Sequence, residues 1–250
     1  MPSNKLRLDL AIVEKGLASS RRRAQALILA GKIRVNDIPV DKPGALVSAA
    51  DDLSLKGGDI PYVSRGGLKL EAALQSFGID VGGKVCLDVG ASTGGFTDCL
   101  LQSGAQAVYA VDVGYGQLAW KLRQDARVTV IERTNIRYMP FDTIGVTVDL
   151  ITIDASFISL KIVVPAVLKF ARGDTDILAL IKPQFEVGKG QVGKGGVVKN
   201  AALQAQVIDA LTACFEDIGL NRNNLCESPV PGPKGNIEFF IHLRLCPSRR

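Results

Sequence analysis

The residues in this chain whose types and spacing could do chemistry are a glycine-rich bend, four acids and two lysines. The bend is Leu87-Asp88-Val89-Gly90-Ala91-Ser92-Thr93-Gly94-Gly95-Phe96. An apolar run from Val85 to Val89 turns there into Phe96-Thr97-Asp98-Cys99-Leu100-Leu101, which reads as strand, tight turn and helix start. Glycine tolerates positive φ and lets a ligand approach the backbone closely. At the carboxyl end of a parallel strand, such a turn takes an adenosine-type cofactor. The dinucleotide fingerprint G-x-G-x-x-G is not met, because three other residues separate Gly90 from Gly94 and Gly95. Asp88 also sits where a pyrophosphate would be repelled. A phosphate-free, cationic ligand such as S-adenosylmethionine fits better. Its expected contacts are Asp88, Gly90, Ser92, Thr93, Gly94, Gly95 and Phe96.

The other candidates lie at strand ends. Asp112 ends the next strand and is expected to take ribose hydroxyls, with Asn135 a candidate for the adenine edge. Asp154 follows Leu150-Ile151-Thr152-Ile153 and would face the reactive end of the ligand; a helix N-cap from Asp154 or Ser156 is the alternative. Lys182 follows Ile177–Ile181 and precedes Pro183, which favours extended backbone; a snorkelling lysine is the alternative. Glu238 shares a strand face with Phe240, and a buried carboxylate needs a cation, for which Lys182 is the candidate. Lys69 falls off the apolar stripe of its helix and reads alone as a surface lysine. Gly188–Gly195 nearly fits a phosphate loop, but Gly195 replaces the required hydroxyl. It reads instead as a mobile basic loop gripping RNA through Lys189 and Lys194. His242, the only histidine, reads as structural, and no metal site is expected.

The elements that must position these residues fall into two segments. Residues 1–60 form a small α+β module. Leu8, Ala11 and Ile12 share a helical face, and Ser19 or Ser20 caps a second helix, Arg21–Ala30, stopped by Gly31. A hairpin of Ile33–Val35 and Ile38–Val40 turns at Asn36-Asp37. Arg21-Arg22-Arg23 opposes the helix macrodipole, a cost that an external phosphate would relieve. Asp59–Tyr62 reads as a linker. Residues 61–250 alternate strands (Val85–Val89, Ala107–Val111, Val128–Ile131, Val148–Ile153, Ile177–Ile181) with helices (to Gln102, near Leu118–Arg123, Leu160–Ala171, Ala202–Ile218). Two further strands end the segment, the last over Ile237–Leu245. This is the pattern of an α/β, Rossmann-like, mostly parallel seven-stranded sheet with helices on both faces.

Composition narrows the classes. The chain has 250 residues, 47% hydrophobic and 22% charged, as for a soluble protein with a full core. The net charge of +5 is compatible with a polyanionic partner. Five cysteines form no C-x-x-C pair, so reduced thiols and a cytoplasmic location are expected. No apolar run reaches spanning length. A monomer without stable membrane association is the expected state.

Residues 1–60 resemble the S4 RNA-binding domain through Arg7-Leu8-Asp9, Ser20-Arg21 and Ala30-Gly31-Lys32-Ile33-Arg34-Val35-Asn36. The resemblance implies contact with structured RNA, here through Arg7, Arg21, Arg22, Arg23, Lys32 and Arg34, with Arg65 beyond. The second segment resembles the FtsJ-like 2′-O-ribose methyltransferases, whose active sites hold a Lys-Asp-Lys-Glu set in the order Lys69, Asp154, Lys182, Glu238. With Val63–Leu70, the bend and Lys182-Pro183-Gln184-Phe185-Glu186, the chain is similar throughout to the TlyA family. That implies S-adenosylmethionine-dependent methylation of a cytidine 2′-hydroxyl in ribosomal RNA. Its short ends favour the large subunit over the small. A non-catalytic assembly factor and a membrane-active haemolysin are the rival readings.

Overall fold

The computed structural model describes residues 5–18, 20–56, 60–188, 190–193 and 195–246. The chain divides into two compact units, Met1–Pro61 and Tyr62–Arg250.

The first unit runs β1 (Leu6–Arg7), α1 (Leu8–Glu14), α2 (Arg21–Leu29), β2 (Ile33–Val35), β3 (Ile38–Pro39), β4 (Leu46–Val47) and β5 (Leu53–Leu55). Ser20 Oγ caps α2 by accepting from Arg23 N at 3.2 Å. Ser19 lies outside the described residues. Asn36 and Asp37, with φ of 50° and 64°, make the tight turn between β2 and β3. Leu8, Ile12, Ala24, Ile28 and Ile33 form the core. The arginine run differs from expectation. Buried Asp9 accepts from Arg7 and Arg21 at 3.0 Å and from Gln25 at 2.9 Å, so part of the charge at the start of α2 is neutralised within the unit.

The second unit runs α3 (Gly66–Phe77), β6 (Val85–Val89), α4 (Gly95–Gln102), β7 (Ala107–Val111), α5 (Trp120–Arg123), β8 (Val128–Ile131), β9 (Val148–Ile153), α6 (Leu160–Val167), β10 (Ala171–Ile181), α7 (Pro183–Glu186), α8 (Ala201–Glu216), β11 (Leu220–Glu227) and β12 (Phe239–Leu245). The sheet order is β11-β12-β10-β9-β6-β7-β8, with β12 antiparallel to both neighbours. The order reverses between β6 and β9, so a crevice opens there at the strand carboxyl ends.

Alternation along the strands sorts two cores. Leu87, Val89, Ile151, Ile153, Ile177 and Ile181 pack toward α6 and α8. Cys86, Leu150, Leu178, Leu180 and Phe240 pack with residues of α3 and α4. Helices thus cover both faces.

Several boundaries differ from the sequence reading. The helix expected to reach Ala171 ends at Val167 in a short 3₁₀ turn, and β10 begins at Ala171. β12 starts at Phe239, leaving Ile237 at 38% exposure, and both faces of the strand are buried. Tyr62, expected in the linker, is buried against Gly67, where any Cβ would collide with its ring. Its place is in the second unit's core.

Candidate active site

Two adjoining cavities fill the crevice. The first, about 570 Å³, opens between α3, the bend and the ends of β9, β10 and β12. The second, about 550 Å³, extends over the ends of β6 and β7. Both are lined by Gly90, Ser92, Asp154, Ser156 and Phe157.

Lys69, Asp154, Lys182 and Glu238 all line the first cavity. Strand alternation accounts for three of them. Continued one residue past each strand end, the face toward α3 carries Asp154, Lys182 and Glu238, and α3 itself supplies Lys69. The pairing differs from expectation. Lys69 Nζ donates to Glu238 Oε2 at 2.6 Å, while Lys182 Nζ lies 2.5 Å from Asp154 Oδ1 and donates to Ser156 Oγ at 2.8 Å. Glu238 therefore takes its cation from the helix, and Lys69 is buried rather than a surface lysine. Two buried acceptors open on this cavity without a hydrogen-bond donor among the described residues: Gln184 Oε1 and Glu238 Oε1. Unsatisfied acceptors at a cavity favour a ligand that brings donors.

The bend is set by its glycines. Gly90 has φ of 84°, and a Cβ there would come within 2.7 Å of the Asp154 carbonyl oxygen. Gly94, with φ of 96°, is filled by Leu118 and Leu122 and lines neither cavity, so its role is packing, not the expected ligand contact. Thr93, Gly95 and Phe96 line the first cavity. In the second, Asp112 accepts from Ser92 N at 2.8 Å and from Gly114 N at 2.6 Å, which fixes its carboxylate at the end of β7. Val111, Val113 and Ile136 give this cavity apolar walls, and Asn135 lies on its rim.

Asp88 corrects the sequence reading. Its carboxyl group is fully buried beneath the bend, on the α4 side of the sheet, and lines neither cavity. It accepts from Thr97 Oγ1 at 2.6 Å and from Thr152 Oγ1 at 3.1 Å. Burial pushes its pKa up to about 7.

Sequence reasoning missed Ser64, Ser156, Phe157, Gln184 and Phe185, all of which line the first cavity. Phe157 is 90% exposed with φ of 63°, and its ring lies 4.9 Å from that of Phe185. The available signal was an aromatic directly after Asp154-Ala155-Ser156 in a polar loop. The expected N-cap role falls to Ser159, which accepts from Lys161 N. Among the RNA candidates, Arg22 and Lys32 are exposed, Arg34 Nη1 donates to Asp37 O at 3.4 Å, and exposed Arg65 lines the first cavity. Lys189 and Lys194 lie outside the described residues. His242 is buried, bonded to Asp176 at 2.8 Å and stacked on Phe77. Burial pushes the Cys86 and Cys99 thiols up to about 12, which keeps them unreactive. Among the described residues, no three or more histidines, cysteines or acids cluster as metal ligands would.

A doubly wound sheet with an open switch point, an acid at the end of the second strand and a glycine bend at the first define a class, the Rossmann-like folds that take an adenosine-type cofactor. Residues 62–245 match the FtsJ-like methyltransferases and residues 6–53 match the S4 domain. The chain belongs to the FtsJ-like methyltransferase family. It is 49% identical to the 16S/23S rRNA (cytidine-2'-O)-methyltransferase TlyA of Mycobacterium tuberculosis, over 97% of this chain and 91% of that one. A solved structure from Streptococcus thermophilus, named as a hemolysin, is 44% identical, with a TM-score of 0.77 over 98% of this chain and 90% of that one. A Listeria monocytogenes structure named as an S-adenosylmethionine-dependent methyltransferase shares the fold alone. It is 14% identical, with a TM-score of 0.54 over 74% of this chain and all of that one.

Proposed function

We propose that this protein transfers a methyl group from S-adenosylmethionine to the 2′-hydroxyl of a cytidine in ribosomal RNA. The observation that carries the reading is the meeting of two amines and two carboxylates in one cavity, continuous with an apolar cleft that ends at Asp112. The cleft fits a nucleoside: Asp112 would hold ribose hydroxyls, Val111, Val113 and Ile136 would cover the adenine, and Asn135 would meet its edge. Orphaned acceptors in the first cavity suit the cofactor's ammonium group. When bound, the cofactor supplies an electrophilic methyl group.

The chain's own residues position the acceptor. Lys182, held between Asp154 and Ser156, presents N–H donors to the 2′-oxygen. Transfer frees the hydroxyl proton, and the Lys182–Asp154 pair is placed to receive it. Lys69, paired with Glu238, keeps the second carboxylate fixed at the cavity wall. Alignment of this kind lowers the barrier by removing the search for geometry. The S4 domain and the net charge of +5 support an RNA substrate.

The test uses labelled cofactor and separated ribosomal subunits, followed by mapping of 2′-O-methyl marks. Wild type is expected to mark a cytidine on at least one subunit. Lys182→Ala is expected to lose at least about 100-fold in turnover while binding cofactor normally. Retained turnover in that variant removes Lys182 from the mechanism.

A further inference from the structure

Beside the nucleoside cleft, two loops leave large flat side chains in solvent. Tyr115 is 68% exposed and Tyr138 is 74% exposed. The Arg133 guanidinium lies 4.1 Å over the Tyr115 ring, and that of Arg137 lies 5.0 Å over the Tyr138 ring. Arg133 and Tyr115 come from different loops, joined by Arg133 N donating to Gly114 O at 2.9 Å. Arg133 sits at φ of 52°, a conformation costly for any residue with a Cβ. The chain tolerates this strain at a position that contributes nothing to either core.

Neighbouring carboxylates are engaged elsewhere. Asp112 is taken by Ser92 and Gly114, and Glu132 by Arg123 and Gly116. Among the described residues, neither Arg133 nor Arg137 is paired with a carboxylate. The exposed rings therefore carry uncompensated positive charge. Val113 and Arg137 also line the cleft, which places the surface at the rim of the site.

We propose that this pair of arginine-backed tyrosines is an RNA-binding surface on the methyltransferase unit, stacking unpaired bases that flank the target nucleotide. The inference rests on the methyltransferase reading above. A 2′-hydroxyl reaches the cavity only if its nucleotide leaves the helical stack, and the flanking bases then lose a neighbour. Tyrosine rings and guanidinium planes replace that neighbour without regard to sequence. A protein partner would instead require an apolar centre with matched hydrogen bonds, whereas this surface offers unpaired positive charge over π faces.

The experiment uses the full chain and the ribosomal subunit that wild type methylates. Tyr115→Ala, Tyr138→Ala, Arg133→Ala and the triple variant are compared; Arg137 is left intact because it lines the cleft. Each tyrosine change is expected to raise the KM for the subunit about tenfold, and the triple variant more. The salt dependence of subunit binding should become shallower when Arg133 is lost. Cofactor Kd and thermal midpoint should stay within about twofold and about 2 °C of wild type, since the side chains are exposed. An unchanged subunit KM in the triple variant overturns the proposal. So does a loss confined to cofactor Kd, which would assign the rings to the adenine. Absence of methylation by wild type on either subunit would overturn the parent reading, and this surface with it.

Discussion

A carboxyl group sealed between two threonine hydroxyls ionises late. Asp88 illustrates what residue type alone conceals, because an acid beside a glycine bend suggests ligand contact while its direction is set by strand alternation. Position 88 shares a face with Cys86 and lies beneath α4, where Thr97 meets it. The acid was legible and its partner was not, since Thr97 and Thr152 come from other elements. The same holds for Glu238, whose cation comes from Lys69, 169 residues away in sequence. Asp88 makes a pH prediction. Its folded pKa is about 7, above the usual 3.8, so the folded state holds a proton that the unfolded state releases. Its contribution to stability is therefore full below about pH 4, falls as pH rises toward 7, and is flat beyond. Asp88→Asn should remove that slope, gaining most relative to wild type near pH 8. Thermal midpoints from pH 4.5 to pH 8.5 check this. Cofactor affinity should be unchanged, because the side chain lines neither cavity.

Elements hold the site by lacing two loops together. The segment after β9 carries Asp154, Ser156 and Phe157, and the segment after β10 carries Lys182, Phe185 and Glu186. Glu186 accepts from Ser159 Oγ at 2.6 Å and from Leu160 N at 2.8 Å, so α7 caps α6 from outside. Its carboxylate lies outside the first cavity, yet it ties the Asp154 loop to the Lys182 segment. Glu186→Ala should lower kcat about tenfold or more with cofactor Kd unchanged. Glu186→Gln, which can still accept from Leu160 N and meet Ser159, should restore most of it. Equal losses in both variants would show that the carboxylate charge, not the clamp, matters. Gly94→Ala makes a different demand. Its Cβ would strike Leu118 and Leu122 at positive φ, and about 1–3 kcal/mol of stability should be lost in denaturant titration. Most strands and helices could be placed from hydrophobic period alone. Boundaries failed where tertiary contacts chose them: α6 gives way to a 3₁₀ turn after Val167, and β10 extends back to pair Ala171 with Val148.

At the scale of the whole molecule, two units carry separate cores. Residues 6–55 supply one hydrophobic cluster, and residues 62–245 supply the other two. The charge run and apolar faces made the first unit legible; its internal ion pairs were not, because Asp9 takes Arg21 and Gln25 from a different helix. A unit of about sixty residues buries a modest fraction of its surface and is marginal on its own, so a fully buried carboxylate bridging β1, α1 and α2 weighs heavily. Hydrogen bonds from Arg7, Gln25 and Arg21 hold Asp9 well below the usual carboxylate range. A depressed folded pKa stabilises above about pH 4 and is lost as pH falls through the folded value. Asp9→Asn should therefore destabilise the first unit by about 1–3 kcal/mol at pH 7, with the difference from wild type shrinking in acid. Calorimetry of the full chain should show the lower of two transitions moving down while the upper one, sharpened by added cofactor, stays in place. Cofactor Kd should be unchanged, and KM for the ribosomal subunit should rise as the first unit frays. A variant in which both transitions move together would mean that the two cores unfold as one cooperative body.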